Sequence, residues 1–339
     1  MGVDLKPLVK ARTISLHDLK GKIIAIDAYN AIHQFLSIIR QRDGTPLKDA
    51  EGRITSHLAG LLYRTANLVE QGIKPVYVFD GKPHPLKLKT LEQRSEMREE
   101  AKKEWEEALA KGDIEEARKK AQRTSSVTKE RVEEAKKLLD ALGIPYVDAP
   151  SEGEAQASFM NEKGDVDATS SQDFDCLLFG SPVLIRNVAI TGKRKLPDKQ
   201  QWIDVPPEKI LLRDVLTENE ITREQLVEMA ILIGTDFNSG IKGVGPKKAL
   251  NLIKKYGCIE NAVKAGEVES IANLDEIRNI FLNPSVTNNY FIQWKKADEE
   301  IVISFLCDEH QFSKKRVKKA IEKFKIFSKS FGQRNLFEF

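Results

Sequence analysis

Lys22-Ile23-Ile24-Ala25-Ile26-Asp27 is a short, unbroken apolar run that ends on an acid. Four consecutive apolar residues without polar alternation read as a strand buried on both faces, the habit of parallel sheets. Downstream, Ala31, Ile32, Phe35, Leu36 and Ile39 recur at helical spacing. A polar turn, Asp43-Gly44-Thr45-Pro46, precedes a second helical pattern over residues 55–69. Pro75-Val76-Tyr77-Val78-Phe79-Asp80 then repeats the opening theme, an apolar run closed by an acid. The alternation resumes with strands expected at Gly143-Ile144-Pro145-Tyr146-Val147, at 166–170, at Leu177-Leu178-Phe179 and at Val183-Leu184-Ile185. Ser151-Glu152-Gly153-Glu154 opens a helix containing Ala155, Ala157, Phe159 and Met160. From Glu208 onward helices dominate, and the run 226–233 stops at Gly234, a C-cap signal. The pattern predicts an α/β fold with a mostly parallel central sheet flanked by helices.

Residues 81–137 break that rhythm. Sixteen basic and 13 acidic residues leave few apolar positions for a core. The stretch reads as long charged helices interrupted near Gly112 and around Arg123-Thr124-Ser125-Ser126. On pattern alone a surface hairpin is preferred over a projection that engages a ligand.

Composition narrows the function classes. The 339 residues suffice for one large or two modest domains, and 41% are apolar, a globular share. No uncharged apolar window is long enough to span a membrane, and Met1-Gly2-Val3-Asp4-Leu5-Lys6 lacks the apolar core of a secretory signal. Cys176, Cys258 and Cys307 are too scattered for a disulfide framework or a paired-cysteine zinc site. The expectation is a soluble, intracellular protein. The formal charge is only +3, but residues 311–339 hold nine Lys/Arg against two acids. That tail reads either as a basic face for phosphate contact or as a solvated helix.

Seven acids fall where a strand or helix ends: Asp27, Asp80, Glu152, Glu154, Asp173, Asp175 and Asp236. Ligands of open parallel sheets bind beyond the carboxyl ends of the strands. Acids converging there repel unless cations compensate them. Oxygen donors without His or Cys favour Mg²⁺ or Mn²⁺ over zinc, and seven exceed the needs of one Mg²⁺. Two metals, the arrangement for in-line phosphodiester cleavage, is the natural reading. Each acid also has a plain alternative. Asp27 suits a helix N-cap, Asp80-Gly81 a turn, and Ser151-x-x-Glu154 a capping box. Glu152 and Glu154 lie about 200° apart around a helix, so both serve one site only if it sits over the helix N-terminus. A second signal is Gly240-Ile241-Lys242-Gly243-Val244-Gly245-Pro246-Lys247-Lys248-Ala249. Tight glycines, Pro246 in a first turn, and Lys242, Lys247 and Lys248 make a seat for duplex phosphates of the helix-hairpin-helix type, the alternative being a plain Gly-rich connection.

Six ordered blocks then carry a resemblance. They are Met1-Gly2-Val3-Asp4-Leu5, Ile26-Asp27-Ala28, Val78-Phe79-Asp80-Gly81-Lys82-Pro83, Ala149-Pro150-Ser151-Glu152-Gly153-Glu154-Ala155-Gln156, Ser171-Gln172-Asp173-Phe174-Asp175, and Gly234-Thr235-Asp236 leading into Gly243-Val244-Gly245-Pro246. In them, along essentially its whole length, the chain resembles archaeal flap endonucleases of the structure-specific 5′ nuclease superfamily. The resemblance implies two-metal cleavage near the base of a 5′ flap, 5′-3′ exonuclease activity, and work in Okazaki fragment processing and DNA repair. It assigns Asp27, Asp80, Glu152 and Glu154 to one Mg²⁺ and Asp173, Asp175 and Asp236 to the other, with Mn²⁺ as a substitute. It turns 81–137 into a helical arch, with Lys87 and Arg94 as its catalytic cations. Gly2, His33, Lys242, Gly243, Gly245, Lys247 and Lys248 are the expected DNA contacts, with K⁺ at the 240–248 turn. His33 stands where the family usually has a base-stacking tyrosine. Gln333, Leu336, Phe337 and Phe339 resemble a motif that binds the sliding clamp (PCNA), without its usual second aromatic. The implied organisation is 1–80 and 138–236 for the nuclease, 81–137 for the arch, 237–330 for a helical DNA-binding part and 331–339 for the clamp tail, in a nucleoid-associated monomer. A 5′ exonuclease or gap endonuclease is the rival within the superfamily, and a catalytically silent clamp adaptor the rival outside it.

Overall fold

The computed structural model describes residues 2–190, 192–195 and 202–332. Its strands are β1 (Arg12–Thr13), β2 (Ile23–Asp27), β3 (Lys74–Phe79), β4 (Tyr146–Asp148), β5 (Ala168–Ser170), β6 (Val183–Arg186), β7 (Gly192–Lys195), β8 (Trp202–Val205) and β9 (Glu208–Leu211). Seven form one sheet in the order β1-β9-β6-β5-β2-β3-β4, while β7 and β8 pair as a separate ribbon. The block β6-β5-β2-β3-β4 is parallel, and β9 and β1 add an antiparallel margin.

Helices cover both faces: α1 (Ala28–Ile38), α2 (Ser56–Glu70), α3 (Leu88–Ala110), α4 (Ile114–Gln122), α5 (Lys129–Leu142), α6 (Gly153–Lys163) and α7 (Asp175–Leu178). A more helical second half follows, with α8 (Leu212–Asn219), α9 (Arg223–Ile233), α10 (Pro246–Tyr256), α11 (Ile259–Lys264), α12 (Leu274–Leu282), α13 (Glu299–Ile303) and α14 (Lys314–Gly332). Strand alternation sorts the core. Ile24, Ile26, Tyr77 and Phe79 join α1, α2 and α5 on one face, whereas Ala25, Val76, Val78 and Val147 meet Ala157 and Met160 of α6 on the other. Val317, Ala320, Ile321 and Phe324 seat the basic α14 against the first of these layers. A second core joins Leu5 and Leu8 to α7, α9, α10 and α12.

Several local expectations change. Leu177-Leu178-Phe179 is not a strand. Asp175–Leu178 is a helical turn, and Phe179 is its C-cap. Cys176, Leu177 and Leu178 are all buried, and a run buried on every side carries no period by which to tell helix from strand. The strand expected from Gly143 starts at Tyr146, because Gly143 closes α5 in the left-handed conformation. The expected limit at 137/138 falls inside α5, whose Val132, Ala135 and Leu138 belong to the main core. The charged stretch therefore ends as a separate unit before Lys129. Its two helices, α3 and α4, pair as a hairpin, and each buries small residues, Ala101 and Ala108 on α3 and Ala117 and Ala121 on α4. Trp105 Nε1 donates to the Asp43 carbonyl at 3.3 Å, holding α3 to the turn before α2.

Candidate active site

Four adjacent parallel strands, β5-β2-β3-β4, point their carboxyl ends to one edge, and six of the seven acids lie at or just beyond those ends. Asp27 ends β2 and caps α1, accepting from Asn30 N at 3.0 Å. The plain N-cap reading of Asp27 thus holds. Asp80 follows β3 and accepts from Gly153 N at 2.6 Å, so it caps α6 from a distant strand. Glu152 is itself the N-cap residue of α6, and no side-chain capping bond forms there. The Ser151–Glu154 capping box is not made, because α6 begins one residue later and Asp80 takes the Gly153 N–H. Glu152 and Glu154 consequently flank the N-terminus of α6, over which the site sits. Asp173 and Asp175 follow β5 and open α7. Asp236 comes from the loop after α9.

Side chains outside the expected set hold these acids. Ser171 Oγ donates to Asp27 Oδ2 at 3.3 Å and accepts from Asp173 N at 3.2 Å. Asn30 Nδ2 faces Asp173 Oδ2 at 3.4 Å, and Gln34 Nε2 donates to Asn30 Oδ1 at 2.5 Å. The chain's beginning passes over Asp175, with Val3 N donating to Oδ1 at 2.9 Å. A Cβ on Gly2 would stand 2.4 Å from that oxygen, so only glycine passes there. Gly2 is thereby placed against an acid of the cluster. Ser171 and Asn30 sit within or beside the quoted blocks, but nothing in residue type alone marks them as supports.

The acids form one electrostatic network. Burial first, then Asp80, raises the Asp27 carboxyl above the ordinary range. Burial and Glu152 raise Asp80, burial and Asp173 raise Asp175, and burial followed by Asp175 and Asp27 raises Glu154. These couplings run across the two expected ligand groups: Glu154 faces Asp175 and Asp173, and Asp80 faces Asp236.

Two cations from the hairpin root enter this field. Lys87 pairs with Glu152 and approaches Asp236 Oδ2 at 3.6 Å, while Arg94 pairs with Asp236 Oδ1. Burial opposes the Lys87 charge, but Glu152, Asp80 and Asp236 outweigh it and hold its pKa above the usual lysine value. Thr90 Oγ1 adds a bond to the Asp236 carbonyl at 2.9 Å. Two cations against seven carboxylates leave an excess of negative charge on oxygen donors alone, a donor set suited to hard divalent ions. Among the described residues no three of these side chains already converge as a closed ligand set.

His33 lies on the exposed side of α1, where partial desolvation and then the charge of Arg98 lower its pKa. At the far end of α9, Gly234–Gly245 connects to α10, with Pro246 in its first turn and Gly245 as N-cap. Lys242, Gly243, Gly245, Lys247 and Lys248 are all exposed around that N-terminus. Gln333, Leu336, Phe337 and Phe339 lie outside the described residues.

A covered, mostly parallel sheet with acids gathered at one edge and a highly charged hairpin whose root sends Lys87 and Arg94 among them defines the XPG class of nucleases. The XPG N-terminal domain matches residues 1–101 and the XPG I-region residues 143–236. The chain belongs to the flap endonuclease 1 family. It is 58% identical over 337 residues to the flap endonuclease 1 of Pyrococcus abyssi, covering 99% of this chain and 97% of that one. The solved flap endonuclease-1 from Methanococcus jannaschii superposes with a TM-score of 0.78 at 44% identity, covering 97% of this chain and 99% of that one. The catalytic core of Rad2 in complex with DNA substrate shares the fold, with a TM-score of 0.69 at 24% identity over 94% of this chain and 96% of that one.

Proposed function

We propose that this chain is a structure-specific 5′ flap endonuclease with 5′-3′ exonuclease activity, acting in Okazaki fragment processing and DNA repair. The observation that carries the reading is six acids gathered at one sheet edge and tied to the seventh, Asp236, through Lys87 and Arg94, in a chain of this family. Asp27, Asp80, Glu152, Glu154, Asp173, Asp175 and Asp236 would hold two Mg²⁺, with Mn²⁺ as a substitute. Bound there, the ions supply an activated water and charge neutralisation for phosphodiester hydrolysis. The chain's own groups do the rest. Ser171, Asn30 and Val3 N orient the carboxylates by the bonds described above. Lys87 and Arg94 carry positive charge to the scissile phosphate and stabilise the negative charge that builds on its oxygens. The exposed Lys242, Lys247 and Lys248 at the α10 N-terminus grip duplex phosphates without reading bases, with K⁺ as a further ligand of the 240–248 turn. The hairpin acts as an arch around the 5′ strand, with His33 at its inner side. The C-terminal tail docks on the sliding clamp (PCNA), and the enzyme works as a monomer at the nucleoid.

The decisive experiment is single-turnover cleavage of a labelled 5′ flap in Mg²⁺, with EDTA as control. Asp173→Ala should abolish cleavage while flap binding in Ca²⁺ survives. Binding without cleavage by the unaltered protein would instead favour a silent adaptor, and preference for gapped duplexes the gap endonuclease.

A further inference from the structure

Lys87 owes its place to a single turn, Pro85–Lys87, between β3 and the long hairpin helix α3. That turn begins at His84, whose side chain serves three surfaces at once. Nδ1 accepts from Leu86 N at 3.3 Å and so caps the turn. Acceptance at Nδ1 places the ring proton on Nε2, which faces Glu276 Oε1 of α12 at 3.7 Å. The ring edge packs on Phe237, with centroids 6.1 Å apart and planes at 89°. Phe237 is the residue after Asp236, and it continues the contact to Phe281 of α12 at 5.4 Å and from there to Phe179 at 5.0 Å. His84 thus sits where the Lys87 turn, the Asp236 loop and α12 meet.

These contacts differ in weight. The Glu276 approach is long and half-exposed, which makes it weak. The cap and the aromatic edge are the stronger restraints. Both act on the segment between His84 and Lys87, and on the relation of Lys87 to Asp236. We propose that His84 is a positioning residue for the cleavage step: it fixes the turn that carries Lys87 and presses that turn onto the Asp236 loop. The inference rests on the role given to Lys87 above.

The test is a double-mutant cycle read by single-turnover flap cleavage and by flap binding in Ca²⁺. His84→Ala should slow cleavage about 10-fold, a smaller loss than the roughly 10²-fold of a full 1 Å displacement because the turn keeps its backbone, with binding unchanged. His84→Asn, whose side chain can still cap, should recover most of the rate. In a Lys87→Ala background, His84→Ala should have no further effect, because its influence passes through Lys87. An equal further loss there, or a His84→Ala protein that does not fold, would show a general structural role and overturn the proposal. An unchanged rate in His84→Ala would overturn it too. If Lys87→Ala cleaves at the full rate, the residue it acts through is wrong. If the unaltered protein does not cleave flaps, the reading of the whole site fails first.

Discussion

Gly153→Ala adds one methyl group, and the structure says where it goes. A Cβ at Gly153 would lie 2.7 Å from Asp80 Oδ1 and 3.2 Å from the Val78 carbonyl. The Val78 oxygen is strand backbone and cannot retreat, so the Asp80 carboxylate must turn away. It then loses the 2.6 Å bond from Gly153 N, a charge-assisted bond contributing about 1.5–3 kcal/mol. One effect opposes that loss: replacing glycine in a helix stabilises by up to about 1 kcal/mol. The net loss is then on the order of 1 kcal/mol, so the thermal midpoint should fall by only a few degrees. The rate has no such compensation. The same methyl displaces Asp80 and pushes on the helix end that carries Glu152 and Glu154, three of the seven acids. A displacement near 1 Å costs on the order of 10²-fold. The assay is single-turnover cleavage of a 5′ flap alongside a thermal melt. A Gly153→Ala enzyme within threefold of the normal rate would refute the claim that Asp80 and the α6 N-terminus must meet this closely.

Further outcomes follow from other parts of the molecule. Asp27→Asn keeps an oxygen to accept from Asn30 N but removes one buried, repelled charge; it should abolish cleavage and raise the thermal midpoint in EDTA at alkaline pH, and Mg²⁺ should stabilise the variant less than the unaltered protein, as differential melts would reveal. His57 is fully buried, bonded through Nε2 to Glu134 at 2.8 Å, and burial lowers its pKa. The unfolded chain therefore binds a proton near pH 6.5 that the folded chain resists, so stability should fall as pH drops below about 6.5; His57→Gln should flatten that part of a pH series of melts, and an unaltered slope would count against it. Lys247→Ala with Lys248→Ala should weaken binding equally on flaps of any sequence and reduce the salt slope by up to about two units, whereas sequence-selective loss would contradict a backbone grip.

How far the site could be read in advance depends on the range over which each residue acts. Asp27 and Asp80 are legible because a buried parallel strand announces itself as an unbroken apolar run, and the acid that ends the run must emerge at the carboxyl edge. Glu152 and Glu154 were legible as a constraint, since 200° of separation around a helix leaves only its N-terminus as a shared site. Ser151-x-x-Glu154 failed as a capping box for the converse reason. Its competitor, Asp80, lies 73 positions away from Gly153, and no local pattern shows a partner that arrives with another strand. The antiparallel margin of β9 and β1 was missed likewise, because a two-residue strand such as Arg12–Thr13 has no period to detect. His84 is the extreme case. Nothing around it in sequence separates it from the other residues between β3 and α3, and its three partners come from the turn it caps, the loop after α9 and the start of α12. Acids that must reach one edge of a sheet leave a mark in the sequence; the groups that aim them are specified by contacts that exist only once the chain has folded.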